Sequence, residues 1–342
     1  MGSHTDALPH AKKWVAKEPK NPGALEVAAI CYDRTDDRKN ASIMYRRYLS
    51  LEGSQENSDY AFRLAELYEE REARSLAMKQ YHQNIDDFPE EVRNYERLAT
   101  LYLSVNRLTD ASKLLAEATK LPSAPPRLSK RLAETYKQLG KSPMAAKAYE
   151  DYLGKQPSDS AAWLDLAAIH YARNNYDKAI KPLTECTQLM PRRLECFYKL
   201  GHSYYKSGKP ARAVKPLKDA LALDGRDTRA MGLLVTCQRA AKDTTGLIAA
   251  LRKQAAVDGK RAHAANVELG KLLLARGKTD EAIEALEAAT TAQPSDVATH
   301  LKLVEISVSR GKDKKRLMHI NAALRYDPDN AQVYFQRASY HI

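Results

Sequence analysis

The chain has no apolar run approaching the roughly 20 residues that a membrane-crossing helix needs, which excludes a helical span anywhere in its 342 residues. Its four cysteines, Cys31, Cys186, Cys196 and Cys237, show neither a Cys-x-x-Cys pair nor metal-site spacing, which excludes a zinc module and a disulfide framework. Each falls inside an expected helix, where a free cysteine acts as a small apolar filler. The histidines form no His-Glu-x-x-His or paired ligand spacing, and His170 reads as a core substitution. No serine sits in a Gly-x-Ser-x-Gly setting. Gly140-Lys141-Ser142 and Gly277-Lys278-Thr279 look like the end of a phosphate loop, but Thr135 and Leu272 stand where its first glycine is required. The same Gly-Lys pair recurs at Gly208 and Gly311, so it reads as a repeated turn. Nothing calls for a metal or a cofactor, and the sequence points away from an enzyme.

Glycine and proline are sparse too, but their placement is regular. A breaker returns about every 34 residues, at Pro19, Gly53, Pro89, Pro122, Pro157, Pro191, Gly225, Gly259, Pro294 and Pro328. Between breakers, Trp163, Leu166, Ala167 and His170 fall on one helical stripe, so one face is buried. Position eight of each unit keeps a small residue (Ala29, Ala65, Ala99, Ala133, Ala167, Gly201, Gly270), and so does position twenty (Ala41, Ala77, Ala111, Ala145, Ala179, Ala213, Ala282). Two helices approach closely only where both lack bulk. Gly140, Asn174, Gly208, Gly277 and Gly311 mark the turn between them, where a left-handed backbone is expected. The unit is helix, turn, helix, breaker.

This pattern resembles the tetratricopeptide repeat, whose signature of large apolar, Leu, Gly or Ala, Tyr, Ala, aromatic and Pro spreads over 34 residues. Residues 160–193, 194–227 and 263–296 match best. Residues 228–261 and 297–330 depart from it: Val235 and Val304 replace the small residue at position eight, and Leu247 and Arg316 the one at position twenty. The resemblance implies an all-α, right-handed superhelical solenoid. Nine repeats are expected, at 22–55, 58–91, 92–125, 126–159, 160–193, 194–227, 228–261, 263–296 and 297–330. Residues 5–21 read as the second helix of a preceding unit and 331–342 as the first helix of a following one. Residues 1–4 read as a tag remnant, and the whole as an excised segment of a longer protein.

In this family the concave groove is lined by first helices, at positions two, five, six, nine, twelve and thirteen. Position six reads Arg63, Arg97, Arg131, Asp165 and Lys199, a basic ladder to which Arg93, Arg127, Lys130 and Lys137 add. Such rows suit carboxylates and phosphates through forked hydrogen bonds. The alternative is a solvated face, since Glu66 and Glu134 follow Arg63 and Arg131 by three residues and can pair with them. A second candidate is Tyr171, Tyr198, His202 and Tyr205 beside Lys199 and Lys206, while Tyr204 reads as a packing residue. Tyrosine is enriched at interfaces because it offers an apolar face and a hydroxyl at low entropic cost.

The chaperone-tail and glycosyltransferase subtypes of the family are disfavoured, because neither the asparagine at position nine nor the asparagine row at position six is present. The resemblance implies a protein-interaction scaffold holding a peptide or segment of a partner in the concave groove. The net charge of +12 suggests an acidic partner, with aromatic residues to match the tyrosines. Alternatives are a regulatory or assembly module of a larger enzyme or of envelope or polysaccharide export machinery, and nucleic-acid binding, against which the lack of a paired polar code counts. End-to-end self-association through Trp14, Tyr334 and Phe335 is also expected. The pattern fits cytoplasm and periplasm alike.

Overall fold

The computed structural model describes residues 2–51, 53 and 56–341. Met1, residues 52, 54 and 55 at the end of the first expected repeat, and Ile342 lie outside the described residues. Among the described residues every regular element is an α-helix. The chain divides into two compact units, Met1–Ala162 and Trp163–Ile342.

In unit 1, α1 (Gly2–Lys17) is followed by α2 (Pro22–Arg34), α3 (Arg38–Leu49), α4 (Ser58–Glu70), α5 (Arg74–Asp87), α6 (Val92–Ser104), α7 (Leu108–Ala118), α8 (Pro126–Gln138) and α9 (Ser142–Lys155). The helix α10 (Ser160–Ala172) begins at its end. Unit 2 continues with α11 (Tyr176–Leu189), α12 (Leu194–Lys206), α13 (Pro210–Leu223), α14 (Thr228–Ala240), α15 (Thr244–Val257), α16 (Ala262–Ala275), α17 (Thr279–Ala292), α18 (Val297–Ser309), α19 (Asp313–Tyr326) and α20 (Ala331–His341). Successive helices pack on one another from α1 to α9 in unit 1 and from α11 to α20 in unit 2.

Local chemistry sets the helix ends. Asn21, Asp37, Asn57, Asp227, Asp243 and Asp296 each accept a backbone N–H from the first turn that follows, as residues preceding a helix do when they satisfy its free donors. Every breaker lies in a turn. The inter-helix turns bend through a left-handed residue: Gly140, Asn174, Gly208, Gly277 and Gly311 as expected, and also Asp36, Glu72, Asn106 and Lys242. After that residue the chain closes back on the first helix, as where Lys141 N–H donates to Tyr136 O and Lys209 N–H to Tyr204 O.

The small residues of positions eight and twenty are buried throughout. At Gly201 an added Cβ would lie 2.6 Å from Leu217 Cγ, and at Gly270 2.6 Å from Leu286 Cγ, so these crossings are tighter than an alanine admits. The departing residues Val235, Val304 and Leu247 are buried as well. Arg316 is buried, and its guanidinium donates to Gln336 O and Ser339 Oγ of α20 over 3.2 and 3.1 Å. All four cysteines are free and buried. Hydrogen bonding to Cys196 and burial push the Cys186 thiol pKa up. His170 and Tyr204 pack into the core side of their helices, buried and half-buried. Trp14, Tyr334 and Phe335 are exposed.

Candidate functional site

Arg63 and Arg97 of the position-six ladder staple one repeat to the repeat before it. Arg63 on α4 forks onto Asp33, the position-twelve residue of the preceding unit, at 2.9 and 2.7 Å. It also reaches Glu66 at 3.2 Å and Glu70 at 2.8 Å. The hydrogen bond to Asp33, ahead of those to Glu70 and Glu66, raises its pKa above the ordinary arginine value. Arg97 on α6 pairs with Glu69, again position twelve, at 3.2 Å. Lys199 on α12 lies 5.3 Å from the ring centroid of Tyr171, the same slot filled by an aromatic. Further on the signs swap: Glu268 on α16 receives a fork from Arg239 at 2.9 and 2.7 Å. Stacking brings positions six and twelve together, and opposite charges placed there pair.

The added cations are engaged as well. Arg93 meets Asp59 at 2.6 Å and Glu91 at 3.1 Å. Arg127 forks onto Glu96 at 2.6 and 2.8 Å. Lys130 and the Tyr152 hydroxyl both donate to Asp159 Oδ2, at 2.7 and 2.8 Å. Burial would raise the Asp159 pKa, but the hydrogen bonds from Lys130, Ala162 N–H and Tyr152 prevail and hold it at about 2. On α8, Arg131 is half-buried and Lys137 exposed. The slot that precedes Arg131 holds Leu103 in place of an acid.

Unit 2 gathers the aromatic candidates. The Tyr171 hydroxyl lies 2.9 Å from His202 Nδ1, and Tyr198 stacks on His202 at 6.2 Å and 23°. Tyr176, absent from the sequence expectation, meets both Tyr171 and His202 edge-on. Burial, then Lys206, lowers the His202 pKa, so its ring is neutral at pH 7. Burial pushes Tyr171 up to about 12.

Beside this cluster lies an open cavity of about 700 Å³ between α12, α14 and α16. Tyr198 and Tyr205 form one wall; Arg229, Arg239 and Arg261 reach in from the others. It opens where the staple fails, since Tyr205 at position twelve faces Leu233 at position six. Arg229 stacks over Tyr198, its carbon 4.8 Å from the ring centroid. Gly232 is a notch, because a Cβ there would collide with the Arg261 guanidinium. Arg229 forks onto Asp227, with Nη2 2.9 Å from Oδ2 and Nε 3.4 Å from Oδ1, and lies 3.6 Å from Glu195; Arg261 is held more loosely, 3.6 Å from Asp258 and 3.5 Å from Thr228 O. Sequence reasoning missed these arginines, although Arg229 and Arg239 occupy groove positions two and twelve.

Residues 130–185 and 198–256 match one tetratricopeptide-repeat family model, and residues 263–306 match a second. A curated relative, small glutamine-rich tetratricopeptide repeat-containing protein 2 of Saccharomyces cerevisiae, is 30% identical over 104 residues, 28% of this chain and 30% of that relative. The alignment thus spans less than a third of the relative's length. Among solved structures, YrrB, described as a tetratricopeptide-repeat protein with an unusual peptide-binding site, is similar at 14% identity and a TM-score of 0.41, over 55% of this chain and 96% of its own. A MamA protein is similar at 22% identity and a TM-score of 0.37, over 51% and 94%. With the helix pairs, the buried small-residue rows and the family matches together, residues 130–185, 198–256 and 263–306 are tetratricopeptide repeats, the repeat of protein-interaction scaffolds.

Proposed function

We propose that this protein binds, and does not catalyse, by holding a partner segment along the first helices of unit 2, in the cavity between α12, α14 and α16. One observation carries the reading: two tyrosines and three arginines line a single cavity of about 700 Å³. Aromatic and arginine side chains are the groups that concentrate binding energy at interfaces. The ligand that suits it is an extended or helical peptide with an acidic side chain for the guanidiniums of Arg261 and Arg229 and an aromatic one for Tyr198 and Tyr205.

Arg63, Arg93, Arg97 and Arg127 of the unit 1 ladder face carboxylates, as Arg229 and Arg239 do here; what unit 2 adds is Arg261, 3.6 Å from Asp258, beside two tyrosines in one cavity. The same pairing favours a protein partner over nucleic acid, whose binding rests on cations free to displace counterions from phosphates. The test is calorimetric titration of an acidic, aromatic peptide into wild type and Tyr205→Ala. Tyr205→Ala should weaken binding about tenfold or more, in line with loss of an interface anchor, and leave helicity unchanged. Equal affinity of the two proteins would refute the placement.

A further inference from the structure

Position four of the 34-residue register carries a ring and position twenty-two a lysine in three repeats: Tyr95 with Lys113, Trp163 with Lys181, and Phe197 with Lys215. In the second of these the two side chains meet, with Lys181 Nζ 6.0 Å from the ring centroid of Trp163. The repeat at 126–159, between the first and second of them in the chain, keeps the lysine as Lys147 but has Ser129 in place of the ring. There unit 1 has a cavity of about 560 Å³ between α7, α8 and α9, lined by both residues. Leu132, Tyr136 and Met144 give it an apolar wall, and Met144 is 47% exposed.

The equivalent place in unit 2, between α13, α14 and α15, shows what the missing ring does. Its position four is Met231, 0% exposed, and its cavity is about 260 Å³ with Met231 outside the lining. The larger cavity of unit 1 reaches position four because a serine fills so little of that place. Charge marks it as well. Lys120, Lys147 and Lys155 line it, all three are exposed, and none of them is ion-paired among the described residues, although Asp151 stands between Lys147 and Lys155 on α9. Elsewhere in unit 1, Arg63, Arg93, Arg97, Arg127 and Lys130 all meet carboxylates.

We infer that this cavity is a docking site, on the second-helix side of unit 1, for a segment of a partner protein that carries an aromatic side chain between acidic residues. The aromatic side chain takes the place that Trp163 fills in the next repeat, beneath Lys147 as Trp163 lies beneath Lys181. A lysine held over an aromatic face is attracted by the negative face of the ring, and the apolar wall takes the rest of the ring out of water. The acidic neighbours follow from the three unpaired lysines. Lys147 and Lys155, eight residues apart on α9, are separated by about 12 Å along the helix. That is too far for one phosphate group and suits carboxylates on both flanks of one residue. The site goes beyond the groove proposal and shares no residue with that cavity.

The experiment titrates the full chain carrying Tyr205→Ala, which weakens the groove of unit 2, with the peptide acetyl-Glu-Glu-Trp-Glu-Glu-amide, followed by calorimetry and by amide NMR shifts. Saturable binding is expected, with shifts in α7 to α9. The same peptide with alanine for tryptophan should bind at least tenfold more weakly. Ser129→Trp restores the pattern of the next repeat, fills the hole from within and should abolish binding. Lys147→Glu with Lys155→Glu alters two exposed positions that folding tolerates, and should cost at least tenfold as well. Absence of saturable binding, shifts confined to other helices, equal affinity for the two peptides, which would mean that any anion suffices, or unaltered binding by either variant would each overturn the inference.

Discussion

His319 should make the far end of unit 2 sensitive to acid. It is 2% exposed, on α19, and its Nδ1 lies 3.2 Å from His300 Nδ1 on α18. His300 Nε2 is 3.1 Å from Pro294 O, which can only accept, so that nitrogen carries the proton. His300 Nδ1 is then an acceptor, and His319 Nδ1–H donates to it. This leaves His319 Nε2 as a buried lone pair without a donor among the described residues. Burial, then the neighbouring His300, pushes the His319 pKa down to about 4, with Lys315 acting in the same direction and Glu287 against it. The unfolded chain takes up that proton near pH 6.5. Stability is therefore complete above pH 6.5, falls as pH drops towards 4, and levels off below. At about 1.4 kcal/mol per pH unit the gap is worth about 3 kcal/mol. Because repeat arrays open locally, the assay is amide hydrogen exchange of α18 and α19 at pH 7.5 and pH 4.5, corrected for intrinsic rates. Wild type should lose about 2 to 3 kcal/mol of protection between them, and His319→Leu almost none. An equal loss in both proteins would refute the assignment.

Three further outcomes follow from the packing. Ala213→Leu or Ala179→Leu should destabilise its helix pair by about 1 to 3 kcal/mol through overpacking, read as a lowered Tm; an unchanged Tm would mean that the small residues are not in contact. Arg63→Met, which keeps the apolar stem, should cost about 1 to 3 kcal/mol by leaving the largely buried Asp33 without its fork, whereas a neutral effect in urea unfolding would make that staple dispensable. Gly232→Ala should displace Arg261 and weaken the acidic peptide of the groove at least several-fold without lowering helicity, and undiminished affinity would remove the notch from the account.

The alternation of helix and turn was readable because its cause is local: small residues where helices cross, and breakers that cannot continue a helix. The left-handed Glu72 and Lys242 were not, since the fold around them overrides their preference and no glycine marks the place. The staples were legible in principle. Asp33 and Arg63, Glu69 and Arg97, Arg239 and Glu268 are about 30 residues apart, which is position twelve against position six once units stack, but reading each column alone showed only a row of arginines. The cavity of unit 2 was hidden for a different reason. Val235 and Leu247 made residues 228–261 look like a departure from the pattern, and attention stayed on the units that matched it, although the arginines at its groove positions were plain in the sequence.

The placement of the partner on unit 2 is tested most directly by paired charge reversals of equal size. Arg229→Glu with Arg261→Glu should weaken an acidic, aromatic partner peptide roughly a hundredfold or more, as expected when two charge-assisted contacts of about 1.5 to 3 kcal/mol each are lost. Arg97→Glu with Arg131→Glu changes the net charge equally and should cost only a few-fold, the scale of contacts at a wet surface. The larger loss from Arg97 and Arg131, or equal losses from both pairs, would contradict the account.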